Sequence, residues 1–305
     1  MAQRRQDVEV DGRRLSLSNL DKVLYPAAGT TKADIVRYYA EVAPVLLPHL
    51  VGRPLTLKRY PDGVDGPSFF EKRCPGHRPR WVPTVTLGRE GRDKVVDHCD
   101  VRETAALVWL ANLAALELHT SLATAPDTTR PRAVVFDLDP GAPADQRTCA
   151  QVALWLKDLC DRLDLEVLPK TSGGKGLQLY VPINREHVTY EDTRGFAKTV
   201  AELLERVHGD VVVSTQDKQQ RVGKVLIDWL QNHLTKSTVC VYSLRARQRP
   251  TVSTPITWDE VAAAVDGDVP TPLAFEPGDV LARVAADGDR FAPVLDVRQE
   301  LPPLR

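Results

Sequence analysis

Two apolar runs in this chain are each broken by acid: AVVFDLDP at 133–140 and KVLIDWLQ at 224–231. Each reads as a strand, and an aspartate in an apolar strand restricts the fold to one that compensates its charge. Side chains alternate along a strand at about 3.3 Å per residue, so Asp137 and Asp139 share a face, about 6 to 7 Å apart. Two carboxylates so placed repel unless a divalent metal, a buried Arg or Lys, or water at a strand end lies between them. Asp228 stands in a matching context. Three carboxylates on two strands form the oxygen ligand set that Mg2+ and Mn2+ prefer. Two such ions about 3.5 to 4 Å apart would stabilise the attacking and leaving oxygens of a phosphoryl displacement. The plain alternative for any single acid is a strand-end carboxylate paired with arginine.

Between these runs lies KTSGGKGLQLY. Gly173, Gly174 and Gly176 let the backbone approach a ligand closely, and Ser172 and Lys175 add a hydroxyl and a cation. This is not the Walker pattern, because a strand follows rather than a helix. Alone it reads as a Gly-rich hairpin turn; with acids in the strands on either side it reads as a cradle for nucleotide phosphates. In YSLRARQRP, Arg245 and Arg247 alternate, so one guanidinium could neutralise a triphosphate through bidentate contacts. The apolar stretch 101–118 reads as a central helix, with His119 at its end, where a helix-terminal cation is the plain reading.

The rest of the chain mixes helices and strands. Helices are expected over 31–49, capped by Thr30 or Thr31, over 143–163, over 189–208 and from Trp258; strands are expected in RPLTLKRY, LEVLPK and VVVS, and the Pro-rich end reads as weakly structured. With no repeat or low-complexity linker, the 305 residues are expected to form one α/β domain: an N-terminal subregion 1–100, a catalytic core 101–256 and a C-terminal helix and tail 257–305. Net charge is −1, but residues 256–305 hold ten acids against four bases, while cations gather at Lys58-Arg59, Lys72-Arg73, Arg78, Arg80, Lys170, Lys175, Lys218, Arg221, Lys224, Arg245, Arg247 and Arg249. That split permits one cationic face on a nearly neutral body. Five scattered cysteines argue against a disulfide framework. A zinc set from Cys74, His77, His98 and Cys99 lacks the usual spaced second pair, so free thiols and surface histidines are the preferred reading. No signal peptide or membrane span is read, and a cytoplasmic location with no membrane partner is expected.

FDLDPG, TSGGKGLQLYVP, LIDWLQN and YSLRAR, in this order and spacing, resemble the polymerase domain of the bacterial end-joining ligase, ligase D, in the archaeo-eukaryotic primase superfamily. The resemblance covers nearly the whole chain. It implies a mixed α/β catalytic core with an RRM-like sheet, mixed or antiparallel, flanked by helices. The implied activity is template-directed nucleotidyl transfer at DNA gaps or broken ends, in gap-filling or non-homologous end joining. A primer 3′-hydroxyl would attack the α-phosphate of a nucleoside triphosphate, with two Mn2+ or Mg2+ ions held by Asp137, Asp139 and Asp228. Ribonucleotide preference, non-templated terminal addition and a primase-type start belong to the same implied repertoire.

By the same resemblance, triphosphate and sugar contacts fall on Lys58, His119, Ser172, Lys175, Gln178 and Arg245. LSNLDKVLYP resembles a pocket for a 5′-phosphate at a gap or break, which assigns Asn19, Lys22 and Lys32 to it; Asn19 reads otherwise as the cap of a short helix. In GPSFFEKRCP, adjacent Phe69 and Phe70 beside Lys72 and Arg73 suit stacking on template bases, worth about 1 to 3 kcal/mol per base. Arg221 resembles a residue that steers the template or the incoming primer end. The implied partners are gapped or broken DNA bearing a 5′-phosphate, a Ku-like end-binding protein and a separate DNA ligase, since no ligase or nuclease segment is read in the 305 residues.

One position departs from the family: Gln178 stands where histidine is usual, and glutamine carries no positive charge. Two other readings stay open on the residues. A haloacid-dehalogenase-like phosphatase also places Asp-x-Asp after an apolar strand, and a non-catalytic DNA-end adaptor would keep the phosphate cradle without the chemistry.

Overall fold

The computed structural model describes residues 5–87, 95–267 and 273–303. The chain divides into two compact units. The first comprises Met1–Thr128, Ser237–Val252 and Phe275–Asp289, and the second Thr129–Lys236, Ser253–Ala274 and Arg290–Arg305. Each unit is discontinuous, so the expected divisions at 100 and 256 do not coincide with either.

The second unit is a five-stranded sheet in the order Leu168–Thr171, Leu177–Pro182, Ala133–Pro140, Val225–Asp228, Val212–Val213. The first three junctions are antiparallel and the last is parallel. Chain order is strand, helix, strand, strand, helix, strand, with the two-residue edge strand Val212–Val213 inserted before the last. This is the RRM-like arrangement expected. Both helices follow from sequence. In Gln146–Arg162 the buried residues Cys149, Ala150, Val152, Ala153, Leu156 and Cys160 form one helical face. In Tyr190–Val207, Thr193, Phe196, Ala197, Val200, Ala201 and Leu204 do the same. Reciprocal capping boxes, Asp145 with Thr148 and Thr189 with Asp192, fix where each begins.

The first unit holds a six-stranded sheet with Leu55–Arg59 next to Ala115–Thr120, and Phe69–Glu71 paired on Leu55–Arg59. Helix Lys32–Glu41 starts on a Thr31–Asp34 capping box. Its Tyr38 and Tyr39 hydroxyls donate to the carbonyls of Tyr242 (2.8 Å) and Leu116 (2.6 Å). These bonds satisfy two buried phenols and fasten the returning 237–252 segment.

Four expectations are corrected. Helix Thr104–Asn112 stops well short of 118: Ala114 takes a left-handed φ of 57°, and the chain continues as strand Ala115–Thr120, so His119 lies on a strand. A continuous apolar run does not distinguish helix from buried strand by itself. The acidic C-terminal stretch contains helices Pro277–Asp287 and Pro293–Asp296, while the Pro-rich 270–272 assigned to the tail lies outside the described residues. Not all thiols are free. Cys74 and Cys99 form a disulfide, brought together as the Cys74 N–H donates to Asp97 O at 2.8 Å; Cys149, Cys160 and Cys240 are buried and not disulfide-bonded. His98 is buried rather than on the surface, its Nδ1 against Leu55 O at 3.0 Å. Among the described residues no helix is long and apolar enough to cross a membrane.

Candidate active site

Cross-strand register sets the acids of the second unit. Asp137 lies directly opposite Asp228 on one side and Gln178 on the other, and Gln178 lies directly opposite Lys170. Residues opposite one another in a sheet project from the same face. A single row, Lys170, Gln178, Asp137, Asp228, therefore crosses four strands. Asp139, two residues beyond Asp137, shares that face.

Burial, with Asp228 as the nearest like charge and Asp139 behind it, pushes the Asp137 carboxyl up to about 6, against the opposing effects of the Gln178 hydrogen bond and the Lys170 charge. Asp228 accepts from Gln216 Nε2 (2.9 Å), Leu230 N (3.0 Å) and Gln231 Nε2 (2.8 Å). Asn232 is wholly buried and brackets the backbone of Val135, accepting from its N–H at 2.9 Å and donating to its carbonyl at 2.8 Å. The residues after Asp228 thus lock the two acid-bearing strands together.

Arg221 donates to Asp139 Oδ2 at 2.5 Å. Among the described residues no three His, Cys, Asp or Glu side chains are gathered as a metal cage. The backbone placement nonetheless suits hard cations, since facing residues on paired strands lie about 4.5 to 5.5 Å apart at Cα. The donor set is all oxygen. The Asp139 carboxylate must leave Arg221 to complete it.

The Gly-rich loop is partly explained by packing. A Cβ on Gly176 would stand 2.0 Å from Leu138 O, so glycine is required for the loop to pass the Asp137 strand. Ser172 Oγ accepts from the N–H groups of Gly174 and Gly176, both at 3.2 Å, which shapes the loop, and Lys175 is exposed on it. Gly176→Ala is expected to destabilise the fold by about 3 kcal/mol or more, as a backbone clash in a packed sheet does. Urea denaturation monitored by tryptophan fluorescence measures this; an unchanged midpoint contradicts the close approach.

Gln178 is buried, and Lys170 is wholly buried, so neither lies on an open phosphate-binding surface. Lys170 thus drops out of the expected cationic face. Within that set, Lys224 donates to Gly209 O and Arg249 pairs with Glu276.

In the first unit, Lys58, His119 and Arg245 gather around a residue the sequence reading missed, Glu117. His119 Nε2 lies 2.9 Å from Glu117 Oε2 and Arg245 Nε 3.3 Å, while Tyr60 OH and the Ala246 N–H donate to Oε1 at 3.3 and 3.1 Å. Burial alone would raise the Glu117 carboxyl. The His119 hydrogen bond and the charges of Arg245, His119 and Lys58 outweigh it and hold Glu117 at about 2. Burial, with Arg245 and Lys58, lowers the His119 imidazole despite Glu117, and His119 stands on strand Ala115–Thr120, so it is no helix-terminal cation. The alternation of Glu117 and His119 in LELHT was the available signal.

Asn19, Lys22 and Lys32 are also brought together. Asn19 takes φ 54° in the turn after strand Arg13–Ser18, so it does not cap a helix. The Lys32 N–H donates to Lys22 O at 2.8 Å across a short hairpin, and Lys32 Nζ donates to Ser18 O at 2.7 Å. Burial, then Lys22 and Arg59, lowers the Lys32 ammonium to about 8. Lys22 pairs with exposed Asp62 at 2.9 Å. Phe69 and Phe70 are 46% and 58% exposed, large for aromatics, with Arg59 over the first ring (5.3 Å) and Lys58 over the second (5.4 Å). Lys72 is exposed beside them.

Residues 31–291 match the family model described as LigD, primase-polymerase domain. The chain is 41% identical over 302 residues to the multifunctional non-homologous end joining DNA repair protein LigD of Mycobacterium tuberculosis, covering 93% of this chain and 38% of that protein. To the bifunctional non-homologous end joining protein LigD of Bacillus subtilis it is 34% identical over 278 residues, 91% of this chain and 44% of that protein. The chain thus spans 38% to 44% of the length of these relatives. The solved polymerase domain from M. tuberculosis ligase D in complex with DNA superposes with a TM-score of 0.85 at 40% identity, covering 92% of this chain and 98% of that one.

Proposed function

The chain belongs to the LigD primase-polymerase family, a nucleotidyltransferase family whose catalysis depends on metal, and from that premise we propose that it extends DNA primers at gaps and broken ends in non-homologous end joining or gap-filling repair. The observation that carries this reading is Asp137 standing directly opposite Asp228, with Asp139 on the same face. Asp137, Asp139 and Asp228 would hold two Mn2+ or Mg2+ ions. When bound, these ions activate the primer 3′-hydroxyl and stabilise the charge on departing pyrophosphate.

The chain's own groups divide the remaining work. Ser172 and Lys175 contact the triphosphate from the Gly-rich loop. Lys58, His119 and Arg245, organised by Glu117, bind triphosphate and sugar. Gln178 acts on the metal site, through its hydrogen bond to Asp137, in place of the direct phosphate contact the resemblance implies. Asn19, Lys22 and Lys32 receive the downstream 5′-phosphate, while Phe69, Phe70 and Lys72 support template bases. Arg221 is released from Asp139 to steer the template or primer end. A preference for ribonucleotides, terminal addition, a primase-type start, a Ku-like partner, a separate ligase and a cytoplasmic location complete the proposal.

The test is extension of a labelled primer on a gapped duplex bearing a 5′-phosphate, with Mn2+ and either ribo- or deoxynucleotides. Extension that requires metal and favours ribonucleotides is expected. DNA binding without extension under any metal would favour the adaptor instead.

A further inference from the structure

Lys170 occupies a site that lysine avoids. Its side chain is wholly buried, and a buried ammonium persists only where its donors are taken. Nζ donates to Gln178 Oε1 at 2.6 Å and to Ser253 Oγ at 2.7 Å, and lies 5.5 Å from the Tyr180 ring centroid. Ser253 Oγ in turn donates to Thr171 O at 2.8 Å. Gln178 is itself buried and hydrogen-bonds Asp137 on its other side.

The chemistry of these three groups gives the row one direction. An ammonium only donates, so the carboxamide oxygen of Gln178 must face Lys170. An ionised carboxylate only accepts, so the carboxamide NH2 must face Asp137. Glutamine alone has no such preference, because its amide can flip and turn its oxygen toward the acid. Something else must set the sense of the bond, and the register places Lys170 opposite Gln178.

We infer that Lys170 is a positioning residue of the metal site: by fixing the sense of the Gln178 carboxamide it keeps an N–H on Asp137 and holds that carboxylate in its ligating orientation. This rests on the reading of Asp137, Asp139 and Asp228 as metal ligands. Groups that orient a metal ligand from behind change metal affinity by about 10- to 100-fold when removed.

The experiment measures Mn2+ binding by the electron paramagnetic resonance signal of the free ion, in wild type, Lys170→Met, Gln178→Leu, the double variant and Asp137→Ala. Methionine matches the lysine stem without charge, and thermal melting verifies folding. Lys170→Met is expected to weaken Mn2+ binding about tenfold. Gln178→Leu should do likewise, and the double variant should bind no more weakly than Gln178→Leu. Unchanged binding by Lys170→Met overturns the inference alone. So does a further tenfold loss when Lys170→Met is added to Gln178→Leu, which would mean that Lys170 acts by its charge directly. No binding by wild type, or undiminished binding by Asp137→Ala, removes the metal reading and the inference with it. If Lys170→Met does not fold, amide exchange in 15N-labelled wild type decides. A slowly exchanging side-chain NH2 pair, absent from Gln178→Leu, supports the row, and exchange at the rate of surface glutamines overturns it.

Discussion

Replacing Asp137 or Asp228 with alanine is expected to lower primer extension by about a thousandfold or more while leaving DNA binding largely intact. Two ions at a phosphoryl displacement would stabilise its charge by several kcal/mol, and Asp137 and Asp228 would supply carboxylates to them from two strands. The two carboxylates face each other across one strand pair, and losing either would remove one of the three proposed ligands. Duplex binding depends instead on backbone contacts by cations. Alanine at either position also removes a mutual repulsion that contributes to lifting Asp137 to about 6, which offsets part of the hydrogen bonding lost with the carboxylate. Single-turnover extension with Mn2+, beside a fluorescence-anisotropy titration with gapped DNA, separates chemistry from binding. Parallel loss of both would point to a structural role.

The second large effect concerns the 5′-phosphate. Lys32→Met should reduce the preference for a 5′-phosphorylated gap over a 5′-hydroxyl gap by about ten- to a hundredfold, the worth of a charge-assisted hydrogen bond. Lys22→Met should act in the same direction, with 5′-hydroxyl DNA binding as before. A pH dependence goes with it. Burial and the neighbouring Lys22 and Arg59 lower the free ammonium of Lys32 to about 8, so it is charged below that pH and neutral above. Affinity for phosphorylated gaps should therefore fall as pH rises through about 8 in wild type, with the slope missing from Lys32→Met. Equal losses on both substrates, or a slope that survives the substitution, would make Lys32 a general phosphate contact.

The acids were legible because a charge in an apolar strand is conspicuous, and the resemblance of four ordered motifs named the chemistry. What stayed hidden was pairing. Nothing local says that Asp137 faces Asp228, since register is set by loops and by Asn232 bracketing Val135. Lys170 reads as a surface cation because Ser253, which accepts its hydrogen bond, lies 83 positions away. Glu117 was hidden inside a run that fits helix and buried strand equally, broken at Ala114 without glycine or proline to mark it. A Pro-rich end reads as a loose tail, yet Pro277 and Pro293 each open a helix, where the missing N–H costs nothing. Cys74 and Cys99 meet through a turn and a strand pair that spacing does not reveal.

The central claim is that the row of side chains ending in Asp137 and Asp228 grips divalent ions against a nucleoside triphosphate. Anomalous diffraction from crystals soaked with Mn2+ and a nucleoside triphosphate addresses it most directly. Peaks bonded to Asp137, Asp139 and Asp228, with Asp139 turned away from Arg221, are the expected result. Peaks elsewhere, with Arg221 still seated on Asp139 and the triphosphate present, would contradict it.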